Sequence, residues 1–162
     1  MPSGPPYGTT PMLSAYVGEE LFPNPIWGSS AVKYLSATDR AQYVLTFVGG
    51  TIRDAGGNLF DTQGAATLHS ATGRAIFVMD ANGEFYASKY QMVGDFHHSS
   101  LLAGAPVAAA GELQVENGVL KAISDKSGHY RPGRLYTDQA IDRLTENGID
   151  LQGVTLDFVG PP

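Results

Sequence analysis

Two asparagine–glycine pairs and one glycine pair, each between short apolar segments, constrain the fold of this chain more than any other feature. Such pairs accept the positive φ angles of two-residue turns, which join antiparallel strands. The sequence therefore predicts three hairpins, with turns at Gly49-Gly50, Asn82-Gly83 and Asn117-Gly118. Their strands are predicted over residues 43–48, 51–54, 75–79, 84–88, 113–116 and 119–123.

Two short helices are predicted outside the hairpins. Ser36 and Asp39 fit a capping box, which predicts a helix over about 37–42. Thr137 is suited to cap the start of a second helix over about 138–146. We therefore expect a mainly β domain of the α+β class, a curled or closed antiparallel β meander with a short helix near each end.

The domain organisation follows from the composition along the chain. Residues 1–12 carry four prolines and two glycines, which favour an extended, weakly packed linker stub. Either the cut end of a longer protein or an ordinary frayed terminus explains such a segment. Residues 13–162 are expected to form a single β-rich domain, in which a last strand is predicted over 154–159.

Composition excludes several classes of function. The chain has no cysteine, which excludes a disulfide framework, a thiolate zinc site and a cysteine nucleophile. Its formal net charge of −6 argues against binding to nucleic acid or to an anionic membrane, since both need a positive surface. The longest apolar run, residues 101–111, is shorter than the roughly 20 residues of a membrane helix. The first residues lack the charged start and apolar core of a signal peptide.

Two polar segments, residues 95–100 and 127–132, contain three of the four histidines. Imidazole titrates near neutral pH, so histidines beside hydroxyls are candidates for proton transfer. We predict that both segments meet in one cleft. The catalytic candidates are His98, His129, Ser99 and Tyr130. The ligand-binding candidates are Ser100, Gly104, Gly111, Ser127, Gly128 and Arg131, the last for an anionic group.

The same groups have a structural interpretation, in which they satisfy buried backbone polar atoms at strand ends. An enzyme should bring both segments to an open pocket, whereas a structural cluster should be buried with every polar atom paired. If residues 96–100 are extended, His97 and His98 point to opposite faces. A metal site at His97, His98 and His129 with a carboxylate has only a weak signal, and the sequence indicates no particular cofactor.

Four stretches carry a resemblance to a known family. They are Phe96-His97-His98-Ser99-Ser100-Leu101-Leu102-Ala103-Gly104, Ala109-Ala110-Gly111, Glu116-Asn117-Gly118-Val119-Leu120 and Ser127-Gly128-His129-Tyr130-Arg131-Pro132. Together they are similar to the conserved region of plant IQ-motif-containing calmodulin-binding proteins, whose pattern is roughly H-S-S-F-L-A-G-G, A-A-G, N-G-x-L and S-G-H-Y-x-P. The resemblance covers about 125 residues, from Tyr34 to Phe158. The I-Q-x-x-x-R-G helix that binds calmodulin does not occur in these 162 residues, so no calmodulin partner is expected.

The chain also resembles terminal domains of bacterial polymorphic toxins and secreted effectors. That resemblance implies a host or target protein or a small-molecule substrate, a cognate immunity protein, and a soluble chain that is cytoplasmic or delivered out of a bacterial cell by a secretion system. His98-Ser99-Ser100 followed by Glu112 is similar to the order of catalytic residues in ADP-ribosyltransferases, although the spacing is short.

Two functions follow as hypotheses. In the first, the chain is a toxin- or effector-type enzyme that acts on a small or nucleotide-like substrate through the His/Ser/Tyr pocket. In the second, it is a non-catalytic β-rich protein-interaction module, related to the plant IQ-motif proteins but without the calmodulin-binding motif.

Overall fold

Seven strands and three short helices make up the regular structure of the protein, in a computed structural model that describes residues 5–68, 70 and 72–159. The strands are β1 (Thr46–Val48), β2 (Thr51–Arg53), β3 (Ala75–Met79), β4 (Phe85–Ser88), β5 (Ala109–Glu116), β6 (Val119–Ser124) and β7 (Thr155–Asp157). The helices are α1 (Ala37–Arg40), α2 (His98–Leu101) and α3 (Arg134–Glu146), with 3-10 turns at Ser14–Tyr16 and Ala41–Tyr43. This content confirms the predicted mainly β, α+β class.

All three predicted hairpins are present. β1 pairs with β2, β3 with β4 and β5 with β6, each antiparallel. The turn between β5 and β6 shows why its sequence matters: Asn117 and Gly118 have φ angles of 49° and 82°, a region that most side chains avoid. The capping box is also confirmed, because the Ser36 hydroxyl accepts the backbone N–H of Asp39 at 3.1 Å.

The strand connectivity differs from a simple closed meander. β1 and β2 form a separate two-stranded sheet, and the other five strands form an open sheet in the order β4-β3-β5-β6-β7. β7 runs parallel to β6, because the 13-residue helix α3 carries the chain back across the sheet between them. Local turn chemistry cannot reveal such a crossover, since it specifies only neighbours joined by short turns.

Two local features differ from the sequence analysis. Residues 98–101 form one helical turn, so the extended chain considered for 96–100 is present only up to His97, the N-cap residue. Helix α3 begins at Arg134 with Gly133 as its N-cap, so Thr137 lies inside the helix and is buried rather than capping it. In both places the local sequence carries fewer turn signals than the hairpins do.

Two apolar cores lie on opposite faces of the five-stranded sheet. Successive side chains of β3 point alternately into one core and the other. Phe77 and Met79 point into the first core, which packs against Ala140 and Leu144 of α3. The intervening residues Ile76 and Val78 contribute to the second core, whose other members come mainly from the loops and from α2. Every residue of β3 is therefore buried.

The first described residues pack against this body rather than standing away from it. Tyr7 is buried in the first core, and its hydroxyl donates to Glu146 at 2.9 Å. Thr10 forms an antiparallel bridge with Val107. Among the residues described, no helix has the length and apolar character needed to cross a bilayer.

The run of small residues before and within β5 allows a close approach of two chain segments. A Cβ added to Gly111 would lie 1.8 Å from the carbonyl oxygen of Ser124 on the paired strand β6. Backbone atoms cannot move aside as the end of a flexible side chain can. Glycine at this position is therefore required by packing.

We expect Gly111→Ala to destabilise the protein by about 3 kcal/mol or more, because β5 and β6 must separate to admit the methyl group. Gly128→Ala is the matched control: its added Cβ meets no atom of the described residues within 4 Å, apart from its chain neighbours. Urea unfolding of both variants measures the difference. Equal midpoints would contradict the close approach at Gly111.

Candidate functional site

A fully buried carboxylate, Glu19, is the centre of the polar cluster. The Ser99 hydroxyl of α2 donates to its Oε2 at 2.6 Å, and the Tyr34 hydroxyl donates to the same oxygen at 2.8 Å. His129 Nε2 lies 2.6 Å from Oε1, and the indole N–H of Trp27 donates to Oε1 at 3.3 Å. One side chain thus joins segments that are up to 110 residues apart in sequence.

The surroundings of Glu19 favour its charged form. Burial by itself raises a carboxyl pKa, but the hydrogen bonds from His129, Ser99 and Tyr34 and the charge of His129 together lower the pKa of Glu19 below its usual value. The hydrogen bond between Tyr34 and Glu19 also affects the tyrosine. Burial and the neighbouring carboxylate raise the pKa of the Tyr34 hydroxyl well above its ordinary range. The arrangement holds a carboxylate in place and leaves it little freedom to exchange protons.

Four rings pack in nearly parallel planes beside this carboxylate. Tyr16 stacks on His129 with ring centroids 3.9 Å apart, His129 on His97 at 4.4 Å, and His97 on Trp27 at 5.3 Å. These separations are typical of stacked aromatic pairs. The two histidines that meet are therefore His97 and His129.

His97 is held in its neutral form. Its Nε2 accepts the backbone N–H of Gly94 at 3.0 Å, which requires an unprotonated nitrogen. Burial, followed by the proximity of His129, lowers the pKa of His97 to about 4.

A small cavity of about 160 Å³ opens beside the stacked rings. Its lining combines rings with aliphatic side chains: Tyr16, Trp27, His97, His129, Leu68 and Val93. Gln91 and Gly128 complete the walls, and the Gln91 amide oxygen accepts the backbone N–H of Leu68 at 2.9 Å. Of the ten candidate residues, only His129 and Gly128 line this cavity.

The other catalytic candidates lie elsewhere or point elsewhere. His98 Nε2 lies 2.6 Å from the carbonyl oxygen of Gly111, within the packed interior. Tyr130 belongs to the second core, and its hydroxyl donates to the carbonyl of Ala105 at 2.8 Å. The ring that stacks on His129 is that of His97, the extended N-cap residue of α2, whereas His98 begins the helix and contacts the Gly111 carbonyl instead.

The ligand-binding candidates also have internal contacts. Ser100 Oγ accepts the backbone N–H of His97 at 3.0 Å, and Ser127 Oγ accepts that of Tyr130 at 3.4 Å. Gly104 has a φ angle of 77°, and an added Cβ would lie 2.9 Å from the Tyr34 ring. Arg131 is exposed and is not among the residues that line the cavity.

Glu112 is buried by a second set of polar contacts and is not placed for group transfer. Ser70 donates to its Oε1 at 3.0 Å, and Arg74 and Ser124 each contact that oxygen at 3.3 Å. Thr67 donates to its other oxygen. In the part of the chain that the structure describes, no three histidine or carboxylate side chains converge to hold a metal ion.

Sequence reasoning missed Glu19, Tyr16 and Trp27. Residues 13–30 form no regular element longer than a 3-10 turn, and no motif connects Glu19 with the histidines. The available signals were weak: Trp27 is the single tryptophan, and Glu19 adjoins a second glutamate. Neither indicates a buried carboxylate by itself.

The architecture and the cluster define an α+β domain whose histidine and serine motifs are joined by a buried carboxylate. Comparison with known proteins identifies the family. The family described as IQ motif-containing protein middle domain matches residues 39–136, which are more than half of the chain. The chain therefore belongs to this family.

Three Arabidopsis thaliana relatives illustrate the relationship. The chain is 39% identical to IQ domain-containing protein IQM3 over 124 residues, which cover 76% of this chain and 26% of that protein. It is 35% identical to IQM2 over 77% of the chain and 20% of that protein, and 31% identical to IQM4 over 85% and 25%. The chain thus spans about a quarter of the length of these relatives. No solved structure matches it.

These findings correct the first functional hypothesis. The plant part of the resemblance is confirmed, whereas the expectation of a bacterial toxin or secreted effector enzyme is wrong, because the matching family and relatives are plant IQ-motif proteins. The immunity protein and the bacterial secretion route depended on that hypothesis and have no support. The module related to plant IQ-motif proteins fits the findings better.

We expect Glu19→Gln to lower the free energy of unfolding by about 3 kcal/mol, because His129, Ser99 and Tyr34 lose a charged buried acceptor. Glu20→Gln is the matched control, since Glu20 is the exposed neighbour and its change should cost less than about 0.5 kcal/mol. Urea unfolding compares them. Similar midpoints would show that Glu19 does not organise the cluster.

Stability should fall as the pH drops from about 6.5 to about 4. The unfolded chain takes up a proton at His97 near pH 6.5, whereas the folded protein does so only near pH 4, so protonation favours unfolding in this window by up to roughly 3 kcal/mol. The lowered pKa of Glu19 acts in the same direction at still lower pH.

His97→Gln isolates this contribution, because the glutamine Oε1 can accept the Gly94 N–H without titrating. The variant should show a shallower decline of unfolding free energy between pH 6.5 and pH 4, measured by urea unfolding at several pH values. Parallel profiles for the two proteins would contradict the assignment to His97.

Proposed function

We propose that this middle domain is a non-catalytic protein-interaction module within the IQ-motif family. The observation that supports it most is the internal pairing of the polar motifs. His98, Ser99, Ser100, His129 and Tyr130 are each at most 3% exposed, and each has a partner inside the fold. An enzyme of the kind first considered needs such groups free to reach a substrate.

The surface beside the cluster supplies what an interaction module requires. Leu68, Met92 and Val93 are 50%, 50% and 58% exposed, and Leu68 and Val93 border the cavity. We call these three residues the apolar rim. Leu21 and Phe22, in the loop that leads from Glu19 to Trp27, are exposed as well. Exposed apolar residues that border a cavity of stacked rings are typical of a contact surface for another protein.

Charge indicates the kind of partner. The chain carries a formal net charge of −6, which favours a basic or neutral protein surface over nucleic acid. The relatives are named for an IQ domain. The resemblance found in the sequence is to calmodulin-binding proteins. Because the I-Q-x-x-x-R-G motif does not occur in these 162 residues, the proposed contact is a different one, formed by the middle domain itself.

We expect the double variant Leu68→Ser, Val93→Ser to lose the proteins that the unaltered domain captures from an Arabidopsis thaliana extract. The control is Val119→Ser, Leu135→Ser, which removes residues of 47% and 54% exposure outside the rim. Quantitative mass spectrometry of the three captures measures the difference, after thermal unfolding has verified that all three proteins are folded. Capture that is equal with both double variants would overturn the proposal.

Purified calmodulin, with and without calcium, is the defined partner to include in the same comparison. We expect no rim-dependent binding, because none of the helices in the described part of the chain is the basic amphipathic helix that calmodulin encloses. Calmodulin binding that the rim variant abolishes would instead identify calmodulin as the partner of the middle domain.

A further inference from the structure

Gly128 is a glycine that neither the backbone nor the packing requires. Its φ angle is not in the positive region that favours glycine. Apart from its chain neighbours, no atom of the described residues lies within 4 Å of the position that a Cβ would occupy. Gly104 and Gly111 differ, since an added Cβ would lie 2.9 Å from the Tyr34 ring and 1.8 Å from a carbonyl oxygen, respectively. Gly128 lies in the wall of the cavity beside the stacked rings.

The size of this cavity fits one ring. Its volume is about 160 Å³, and an apolar protein cavity of about 150 Å³ accommodates a molecule of benzene. The rings of Tyr16, Trp27, His97 and His129 line it. Because both faces of the His97 and His129 rings are covered within the stack, these two rings offer their edges, which suit edge-to-face contact with an aromatic guest. Leu68 and Val93 add aliphatic contacts at the opening, where both are at least half exposed.

The polar atoms of the walls do not select a charged guest. His129 Nε2 is engaged with Glu19, and His97 Nε2 is engaged with the Gly94 amide. The negative charge of Glu19 is fully buried and paired, so it cannot approach a cation in the cavity. The Gln91 side chain already accepts the amide of Leu68 through its oxygen. Because these polar groups are already paired, the walls favour an uncharged ring as the guest.

Exposed carboxylates adjacent in sequence to the cluster, together with the net charge, indicate what flanks that ring. Asp95 lies two residues before His97 and Glu20 next to Glu19, and both are exposed. The whole chain has 16 acidic residues against 10 basic ones. A partner segment with lysine or arginine beside its ring would therefore be attracted, and an acidic one repelled.

We propose that the cavity beside Gly128 binds one aromatic side chain, presented by a partner protein between basic residues. This inference rests on the proposed function and names the anchor of that contact. Aromatic residues that enter a pocket at the centre of an interface commonly carry much of the binding energy. The apolar rim would then surround the anchor and exclude water from it.

The test uses Trp27, which is the only tryptophan and lines the cavity, so one indole N–H resonance reports on it. The probe is the peptide Lys-Phe-Lys, acetylated and amidated, titrated into the isotope-labelled protein. We expect a saturable shift of the Trp27 resonance. Lys-Leu-Lys should bind about threefold to tenfold more weakly, because it lacks the ring interaction. Glu-Phe-Glu should bind more weakly than Lys-Phe-Lys at low salt and approach it at high salt.

Gly128→Leu should abolish the shift, because the leucine side chain occupies the cavity. Gly133→Ala is the control, since its added Cβ also meets open space and Gly133 does not line the cavity. If thermal unfolding shows that Gly128→Leu is not folded, Gly128→Ala replaces it, with a weaker shift expected. Binding that is equal with phenylalanine and leucine peptides, or equal in Gly128→Leu and the unaltered protein, would overturn the inference.

The outcome is separable from that of the proposed function. Failure of the peptide to bind, with capture that still depends on the apolar rim, removes the aromatic anchor and leaves the interaction module. Peptide binding with capture that ignores the rim removes the protein-interaction proposal and leaves a ring-binding cavity.

Discussion

The buried carboxylate of Glu19 is the interaction on which the rest of the site depends. An unpaired charge in a protein interior costs several kcal/mol, so its surroundings must supply donors or exclude it. Here the donors come from Trp27, Tyr34, Ser99 and His129, which belong to four separate segments. Each segment is ordered against the others because each satisfies the same two oxygens. The hydrogen bonds to Glu19 therefore hold α2 and the loop after β6 against residues 13–30, which contain no long helix or strand.

The ring stack follows from that arrangement. With Nε2 of His129 engaged by Glu19, the imidazole ring is fixed in orientation, and Tyr16 and His97 pack on either side of it. His97 is held from its other side by Trp27 and by the Gly94 amide. The polar groups thereby face inward, and rings and aliphatic side chains surround the remaining cavity. A motif rich in histidine and serine consequently lies beneath a cavity that is lined largely by rings and aliphatic side chains.

The polar cluster extends beyond the region that the family model matches. That region, residues 39–136, includes the hairpins and both polar segments, whereas Glu19, Tyr16 and Trp27 lie before it. The buried acceptor of the cluster therefore comes from outside the matched region. A comparison restricted to that region would contain the donors Ser99 and His129 without the carboxylate that they contact.

The sequence by itself determined the hairpins, the helix cap at Ser36 and the family. Turn chemistry at Asn82-Gly83 and Asn117-Gly118 acts between neighbours in the chain, so it can be read without the fold. Long ordered motifs likewise identify a family without any structure. Tertiary structure alone decided which histidine meets His129, because the two adjacent side chains point in different directions and no local signal says which of them faces the distant segment. It alone decided that Glu19 is the common acceptor, because that contact joins residues 110 positions apart, and no local pattern encodes a partner at such a distance.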